Sequence, residues 1–195
     1  MQNFFNTFFS GIVKISQNID ENKIDKVIES LKKIRLNNGR VFFLGVGGSA
    51  ANCSHAVNDF RKICNIESYT PSDNVSELTA RINDEGWDSS YSNWLKNCNL
   101  KPKDAVFVFS VGGGNLEKKV SVNIVNALKY AKKKKCKILG VVGKLKSFTE
   151  KVGNHVIIIP EVNKKLITPF AEAYQAVIWH YIVSHPKLKI NQTKW

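Results

Sequence analysis

Five short apolar runs, rich in β-branched and aromatic residues, recur along the chain and are separated by segments long enough to form helices. None of the runs alternates apolar with polar residues, which indicates strands covered on both faces, as in a parallel sheet. Parallel neighbours need crossover connections, and right-handed crossovers place helices on both faces of the sheet. The sequence therefore predicts an α/β fold, a three-layer sandwich around a five-stranded parallel sheet. The predicted strands are residues 40–46, 66–70, 104–111, 136–143 and 155–160.

Helical patterns fill most of the remaining chain, and two of them precede the first strand. The first of these has aromatic and aliphatic side chains at helical spacing, from Phe4 to Ile15. That apolar surface is explained equally well by packing on the chain's own sheet and by burial against a second copy. A chain of 195 residues predicts one domain. The predicted helices are residues 2–18, 21–37, 50–64, 87–97, 116–134 and 169–184.

The formal net charge of +13 attracts phosphate groups, whether these belong to nucleic acids or to small metabolites. The densest basic run, "KKKKCK" at 132–137, follows a helical pattern, and cations there favour the end of a helix. Aromatic residues do not interleave these lysines as a stacking surface would require, which disfavours nucleic acid as a partner.

No apolar run reaches the roughly 18 to 20 residues that a membrane span needs, and the first residues lack the pattern of a secretory signal. The cysteines are scattered without CxxC spacing, which predicts reduced thiols and no disulfide framework. We therefore expect a cytoplasmic protein with no membrane partner. The four cysteines are Cys53, Cys64, Cys98 and Cys136.

Two glycine-rich turns follow predicted strands. "GVGGS" (45–49) comes after the first strand and "SVGGGN" (110–115) after the third. At the carboxyl ends of parallel strands such turns bring backbone N–H groups and helix N-termini close to anions, although both could simply be tight turns. Neither is a Walker loop, because no Lys-Ser/Thr pair follows the glycines. A sugar phosphate is the ligand that fits a pocket between two such turns.

A polar stripe lies directly behind the first turn. If residues 50–64 are helical, then Asn52, His55 and Asp59 fall on one face, with His55 and Asp59 one turn apart. An i, i+4 pair of this kind is either a surface ion pair or a site for proton transfer or metal binding. Its place one turn from a predicted anion site favours function.

The last helical pattern, "TPFAEAYQAVIWHYIVSHP" (168–186), is apolar nearly all round, which predicts burial. Within it Glu172, Gln175 and His180 need partners, because an unpaired buried carboxylate is costly. Glu172 and His180 lie about 12 Å apart along the helix axis. They meet around one ligand only if both side chains extend toward it, or they face sites in different subunits. Thr168 and Pro169 are predicted to begin the helix.

Together, "GVGGSAANCSHAVNDF", "SVGGGN" and "EAYQAVIWH" resemble the sugar isomerase (SIS) domain superfamily, and within it the phosphoheptose isomerases. The resemblance covers nearly the whole chain, including the "INDEGW" loop at 82–87. It implies a flavodoxin-like SIS domain over residues 1–195, in which helices within 1–38 pack on the sheet and in the oligomer. It further implies a homotetramer with active sites at subunit interfaces. The implied reaction converts sedoheptulose 7-phosphate to D-glycero-D-manno-heptose 7-phosphate.

The resemblance also implies roles for individual residues. Asp59 is expected to be the base and His180 the acid of an enediol mechanism, with Glu172 as a second catalytic carboxylate. A zinc ion would be held by His55, Asp59, Glu172 and His180. Substrate contacts are expected at Gly47, Gly48, Ser49, Asn52, Asn83, Asp84, Ser110, Gly112, Gly113, Asn115 and Gln175.

The chain departs from the family pattern at three places. Asp59 stands where the family has the longer Glu, and Glu172 stands where it has Gln. The second glycine turn has fewer hydroxyl side chains than the family's loop, which leaves a related phosphosugar open as substrate.

Two noncatalytic functions are the alternatives: an SIS adaptor that binds the replication initiator, and a sugar-phosphate-sensing protein. Neither needs a proton-transfer pair.

Overall fold

The computed structural model describes residues 3–193 and confirms the parallel α/β fold. The strands are β1 (Val41–Leu44), β2 (Ser68–Tyr69), β3 (Ala105–Ser110), β4 (Lys137–Val142) and β5 (His155–Ile158). Every neighbouring pair of strands is parallel, and the order across the sheet is β2-β1-β3-β4-β5. This order is the doubly wound arrangement of flavodoxin-like proteins, in which ligands bind beyond the carboxyl ends of the strands.

Helices cover both faces of the sheet. Alternate strand residues point to opposite sides, so that Phe43 joins one core cluster while Phe42 joins the other. The helices are α1 (Phe4–Asn18), α2 (Glu21–Leu36), α3 (Gly48–Cys64), α4 (Val75–Glu85), α5 (Trp87–Asn97), α6 (Val122–Lys133), α7 (Phe148–Val152) and α8 (Ile167–Ser184). The first cluster takes side chains from α1, α2, α3 and α8, and the second takes them mainly from α5 and α6.

The predicted helix over 116–134 begins late. Asn115 and Val120 exchange two backbone hydrogen bonds of 2.9 Å, which close a tight hairpin between β3 and α6. The prediction that the second glycine turn leads directly into a helix is therefore wrong. The lysine-rich end is as predicted, because Lys132 and Lys133 lie in the last turn of α6.

The segment predicted as a loop at 82–87 is helical. Residues 82–85 form the last turn of α4, and Trp87 already begins α5 after the single residue Gly86. Asn74 caps α4 by accepting a hydrogen bond from the backbone N–H of Glu77. The expected loop is therefore a junction between two helices.

The other predicted helix ends differ less from the observed ones. Residue 2, where the first helix was predicted to begin, lies outside the described residues, and α1 is described from Phe4. Helix α8 begins at Ile167, so that Thr168 is inside the helix and is not its cap. Its last residue is Ser184, which confirms the predicted end.

Helices α1 and α8 pack against each other and leave an apolar surface outside. The Phe8 ring packs against that of Phe170 at a tilt, with centroids 5.0 Å apart, and the Tyr174 hydroxyl donates to the backbone oxygen of Ile12. Within the single chain, α8 is buried on all sides but its outer face, where apolar side chains are exposed. The exposed apolar side chains are Phe4, Phe5, Phe9 and Val13 on α1, and Val177 and Tyr181 on α8.

The cysteines are free thiols, as expected. Burial within α3 raises the pKa of the Cys64 thiol to about 12 and that of Cys53 further still, so both stay protonated. Among the described residues, no helix combines the length and hydropathy needed to cross a membrane.

Candidate active site

The candidate site is built between α3 and α8, which run side by side from the first glycine turn outward. Near the start of α3, the side-chain amide of Gln175, from the middle of α8, donates to the Ser49 hydroxyl at 3.0 Å. Near their ends the Cys64 thiol donates to the backbone oxygen of Val183 at 3.7 Å. Polar side chains that lie far apart in the sequence are thereby placed along one seam.

Three of the predicted residues meet in this seam. The Nε2 atoms of His55 and His180 each lie 3.6 Å from Oδ2 of Asp59. One ligand atom from each of the three residues lies within 4.8 Å of the others. The i, i+4 pair on α3 therefore gains a third member from α8, which a surface ion pair on one helix does not have.

The Asp59 carboxylate is held in place from two sides. The residue is 8% exposed, and its Oδ2 accepts a 3.0 Å hydrogen bond from the indole Nε1 of Trp179. Its Oδ1 accepts a 3.2 Å bond from the Asn58 side chain. Sequence reasoning assigned Trp179 to the apolar surround and missed this contact. The signal was available, because a buried indole N–H needs an acceptor.

The hydrogen bonding of His180 settles where its neutral ring carries the proton. Nδ1 lies 2.8 Å from the backbone oxygen of Ala176, and a carbonyl only accepts, so the hydrogen is on Nδ1. In a neutral ring Nε2 then points a lone pair at the Asp59 carboxylate. Two lone-pair-bearing atoms at this separation repel each other unless positive charge lies between them. A metal ion bound between Nε2 and Oδ2 would remove this repulsion.

The donor set fits zinc. Two imidazole nitrogens and one carboxylate oxygen are ligands that zinc prefers, and three protein ligands leave a position open for substrate. The outer contacts also fit, because metal-binding histidines commonly donate their other N–H to a carbonyl, as His180 does to Ala176.

Glu172 lies away from this cluster. A Cβ atom placed on Gly48 would be 2.6 Å from its Oε2, so the carboxylate rests directly against the start of α3. Seven residues of α3, about 10 Å of helix, separate Gly48 from His55. The expectation that Glu172 completes one metal shell with the other three is therefore not met within a single chain. Instead its charge lies at a helix N-terminus, where the dipole favours it.

Other predicted substrate contacts join the two helices to each other. Asn52 donates at 2.9 Å both to the backbone oxygen of Glu172 and to the side-chain oxygen of Gln175. Gln175 is fully buried and also reaches Ser49. These amides fix the spacing of α3 and α8 and so determine the geometry of the cluster.

Side chains of the second glycine turn hydrogen-bond to the turn's own backbone. Ser110 Oγ accepts from the backbone N–H of Gly113 at 2.9 Å, and Asn115 accepts from that of Lys118 at 2.8 Å. Gly113 has a left-handed φ of 66°, and the Ser147 side chain lies against it. Gly112 has open space around it, with nothing nearer than 4.0 Å to an added Cβ. An anion therefore has access to the backbone at Gly112.

Asn83 and Asp84 are not brought to the cluster. Both are exposed in the last turn of α4, and the Asn83 side chain donates to Asp84 at 2.8 Å. Within the described chain neither side chain hydrogen-bonds to α3 or α8. At the first turn, Gly47 has a positive φ of 63° and open space beside it, as close approach of a ligand to the backbone requires.

Comparison with known proteins identifies relatives of the whole chain. The SIS domain family profile matches residues 4–143. A probable phosphoheptose isomerase from Thermoplasma volcanium is 32% identical over 178 residues, which is 88% of this chain and 84% of that one. A phosphoheptose isomerase from Syntrophotalea carbinolica is 24% identical, over 89% of this chain and 87% of that one.

Solved structures share the fold. The phosphoheptose isomerase of Neisseria gonorrhoeae superimposes with a TM-score of 0.78 at 17% identity, covering 93% of each chain. That of Francisella tularensis gives a TM-score of 0.78 at 16% identity, covering 93% of this chain and 92% of that one. The similarity in fold therefore extends beyond the residues that the family profile matches.

Proposed function

The chain belongs to the SIS domain family and is a phosphosugar isomerase, and we propose that it interconverts sedoheptulose 7-phosphate and D-glycero-D-manno-heptose 7-phosphate. The observation that carries the proposal is the cluster of His55, Asp59 and His180, in which a carboxylate and an imidazole face each other across 3.6 Å. Similarity to the phosphoheptose isomerases over most of the chain supports this substrate. A noncatalytic adaptor or a sugar sensor has no need of such a cluster.

The chemistry of the reaction suits these groups. Moving a carbonyl between carbons 1 and 2 requires removal of a proton from one carbon and delivery to the other through an enediol. Oδ2 of Asp59 faces the imidazoles, whereas Oδ1 accepts only the Asn58 amide among the described residues. We assign Oδ1 as the oxygen that takes the carbon-bound proton and returns it to the neighbouring carbon. In the metal-free form, protonated His180 Nε2 would donate to the sugar oxygen.

A zinc ion fits the same cluster. His55 and His180 would hold it through Nε2, and Asp59 through Oδ2. When bound, the ion would supply the positive charge that polarises the two sugar oxygens. The two oxygens of Asp59 would then have different roles, because Oδ2 would bind the ion and Oδ1 would move the proton. His180 would serve as a metal ligand.

The phosphate end of the substrate is proposed to lie at the glycine turns. The two turns follow the neighbouring strands β1 and β3 at the carboxyl edge of the sheet. Gly47 and Gly112 leave open space there, and the chain's net charge of +13 favours an anion. Glu172, beside Gly48, is placed to contact sugar hydroxyls between the phosphate and the cluster.

We propose that the protein acts as a homotetramer whose interfaces cover the outer faces of α1 and α8. The His55 and His180 side chains are 55% and 52% exposed, so a single chain leaves the cluster open to water. Val177 is one turn before His180 on the same exposed face of α8 and is 55% exposed. A second chain seated on this apolar face would close the site. Free thiols favour the cytoplasm as its location.

Replacing Val177 with glutamate is expected to break the assembly. A charge on a buried apolar interface would lack a partner, and light scattering should show a particle smaller than four 22.0 kDa chains. Leu36→Glu is the matched control, because Leu36 is 69% exposed at the end of α2, away from this face. A wild-type protein that sizes as a single chain would refute the tetramer.

The function is tested by incubating the protein with sedoheptulose 7-phosphate and following formation of the aldose phosphate. Unphosphorylated sedoheptulose, run in parallel, measures the requirement for the phosphate. A third reaction, in which a chelator is added and zinc is then restored, tests whether activity depends on the metal. We expect the protein to convert the phosphate ester and not the free sugar. The activity should be lost on chelation and recovered when zinc is added back. The absence of conversion in every arm would refute the proposal.

A further inference from the structure

One side chain contacts all three members of the cluster. Trp179 is 2% exposed, and its ring centroid lies 5.2 Å from that of His55 and 4.8 Å from that of His180. Its indole N–H donates to Asp59 at 3.0 Å. Phe109 of β3 supports the ring from the sheet side, with centroids 5.8 Å apart. The indole therefore lies between the hydrophobic core and the polar cluster.

A purely structural tryptophan would fill the core without this directed contact. The indole offers a single donor, and it goes to Oδ2, the same carboxylate oxygen that faces both imidazoles. That bond occupies one lone-pair direction of Oδ2 and fixes the rotation of the carboxylate. The other lone-pair direction of Oδ2 remains for a cation between the imidazoles.

We infer that Trp179 is a positioning residue for the metal cluster, whose indole N–H orients Asp59 and so sets the affinity for a divalent cation. This inference rests on the proposed metal-binding function of the cluster. Hydrogen-bonding partners behind metal ligands commonly change metal affinity by about 10- to 100-fold when they are removed. Here the partner is one residue from His180 in sequence, so the same turn of α8 carries both a ligand and the group that orients another ligand.

The test replaces Trp179 with phenylalanine, which keeps an aromatic ring in the core and removes the N–H. Zinc affinity is measured by competition with a chromophoric chelator, and cobalt binding by its absorption spectrum. We expect Trp179→Phe to bind zinc about 10- to 100-fold more weakly, with an altered cobalt spectrum. Trp94→Phe is the matched control, because Trp94 is buried in the other core cluster and packs on Phe42. Its zinc affinity should equal that of the wild type.

A second measurement needs no variant and so does not depend on the stability of Trp179→Phe. In wild-type protein with labelled indole nitrogens, zinc should shift the Trp179 N–H resonance more than those of Trp87 and Trp94. An unshifted Trp179 resonance, wild-type affinity in Trp179→Phe, or no zinc binding by the wild type would each overturn the inference. Because these readouts do not use turnover, a failed isomerase assay with a clear affinity change would refute the proposed reaction alone.

Discussion

Replacing Asp59 with asparagine is expected to lower kcat/KM for sedoheptulose 7-phosphate by about 10²- to 10⁴-fold, the range that a positioned proton-transfer group contributes. The amide keeps the shape of the side chain but cannot take a carbon-bound proton. It also removes the negative charge that faces His55 and His180. The variant should therefore lose zinc affinity together with activity. Initial rates over a range of substrate concentrations, at saturating zinc, measure the loss.

Glu172→Gln separates the two candidate carboxylates. Glu172 rests against Gly48, about 10 Å of helix away from His55, so its amide variant should lose less activity and keep zinc affinity. Should Asp59→Asn retain near wild-type kcat/KM while Glu172→Gln loses it, the base would be Glu172 and the assignment of Asp59 would be wrong. Circular dichroism of both variants checks that the fold persists.

The largest effect on stability is expected from Asp104→Ala. The Asp104 side chain is completely buried and accepts from the Arg40 guanidinium at 2.7 Å. It also accepts from the backbone N–H groups of Arg40 and Lys101, at 2.9 Å each. Its loss leaves a partly buried cation and two amides without their acceptor, which costs about 3–5 kcal/mol. For a chain of this size the melting temperature should fall by about 6–20 °C.

Glu29→Ala is the control for that experiment. Glu29 also pairs with a cation, Lys187 at 2.9 Å, but both side chains are exposed and the pair is screened by solvent. The melting temperature of this variant should stay near that of the wild type. If Asp104→Ala melted within about 2 °C of the wild type, the buried pair would not be an anchor of the sheet.

The sheet was predictable because its signal is local. The central strands β1 and β3 are apolar runs that both faces of the sandwich bury, so the pattern needs no knowledge of the tertiary contacts. Helix α3 and its stripe were predictable for the same reason, since a helix fixes which side chains share a face. The hairpin between Asn115 and Val120 was not, because it depends on two backbone hydrogen bonds beside a glycine turn.

The parts of the site that helical spacing does not predict depend on packing between helices. Spacing pairs His55 with Asp59, and the resemblance adds His180, but only the contact of α3 with α8 shows the bond from the Trp179 indole. The position of the Glu172 carboxylate against Gly48 likewise depends on the packing of α8 against α3. An all-round apolar pattern on α8 could not reveal an exposed outer face, because burial in the core and burial by a second chain favour the same residues.

The most direct test of the isomerase assignment follows sedoheptulose 7-phosphate in deuterium oxide by proton NMR, with zinc-loaded protein. If Asp59 moves a proton through an enediol, aldose should form and should carry deuterium at carbon 2 to the extent that the proton on Asp59 exchanges with water before its return. Asp59→Asn should show neither product nor exchange on the same time scale. Ketose that stays unconverted and unlabelled, or Asp59→Asn that forms product at the wild-type rate, would contradict the account.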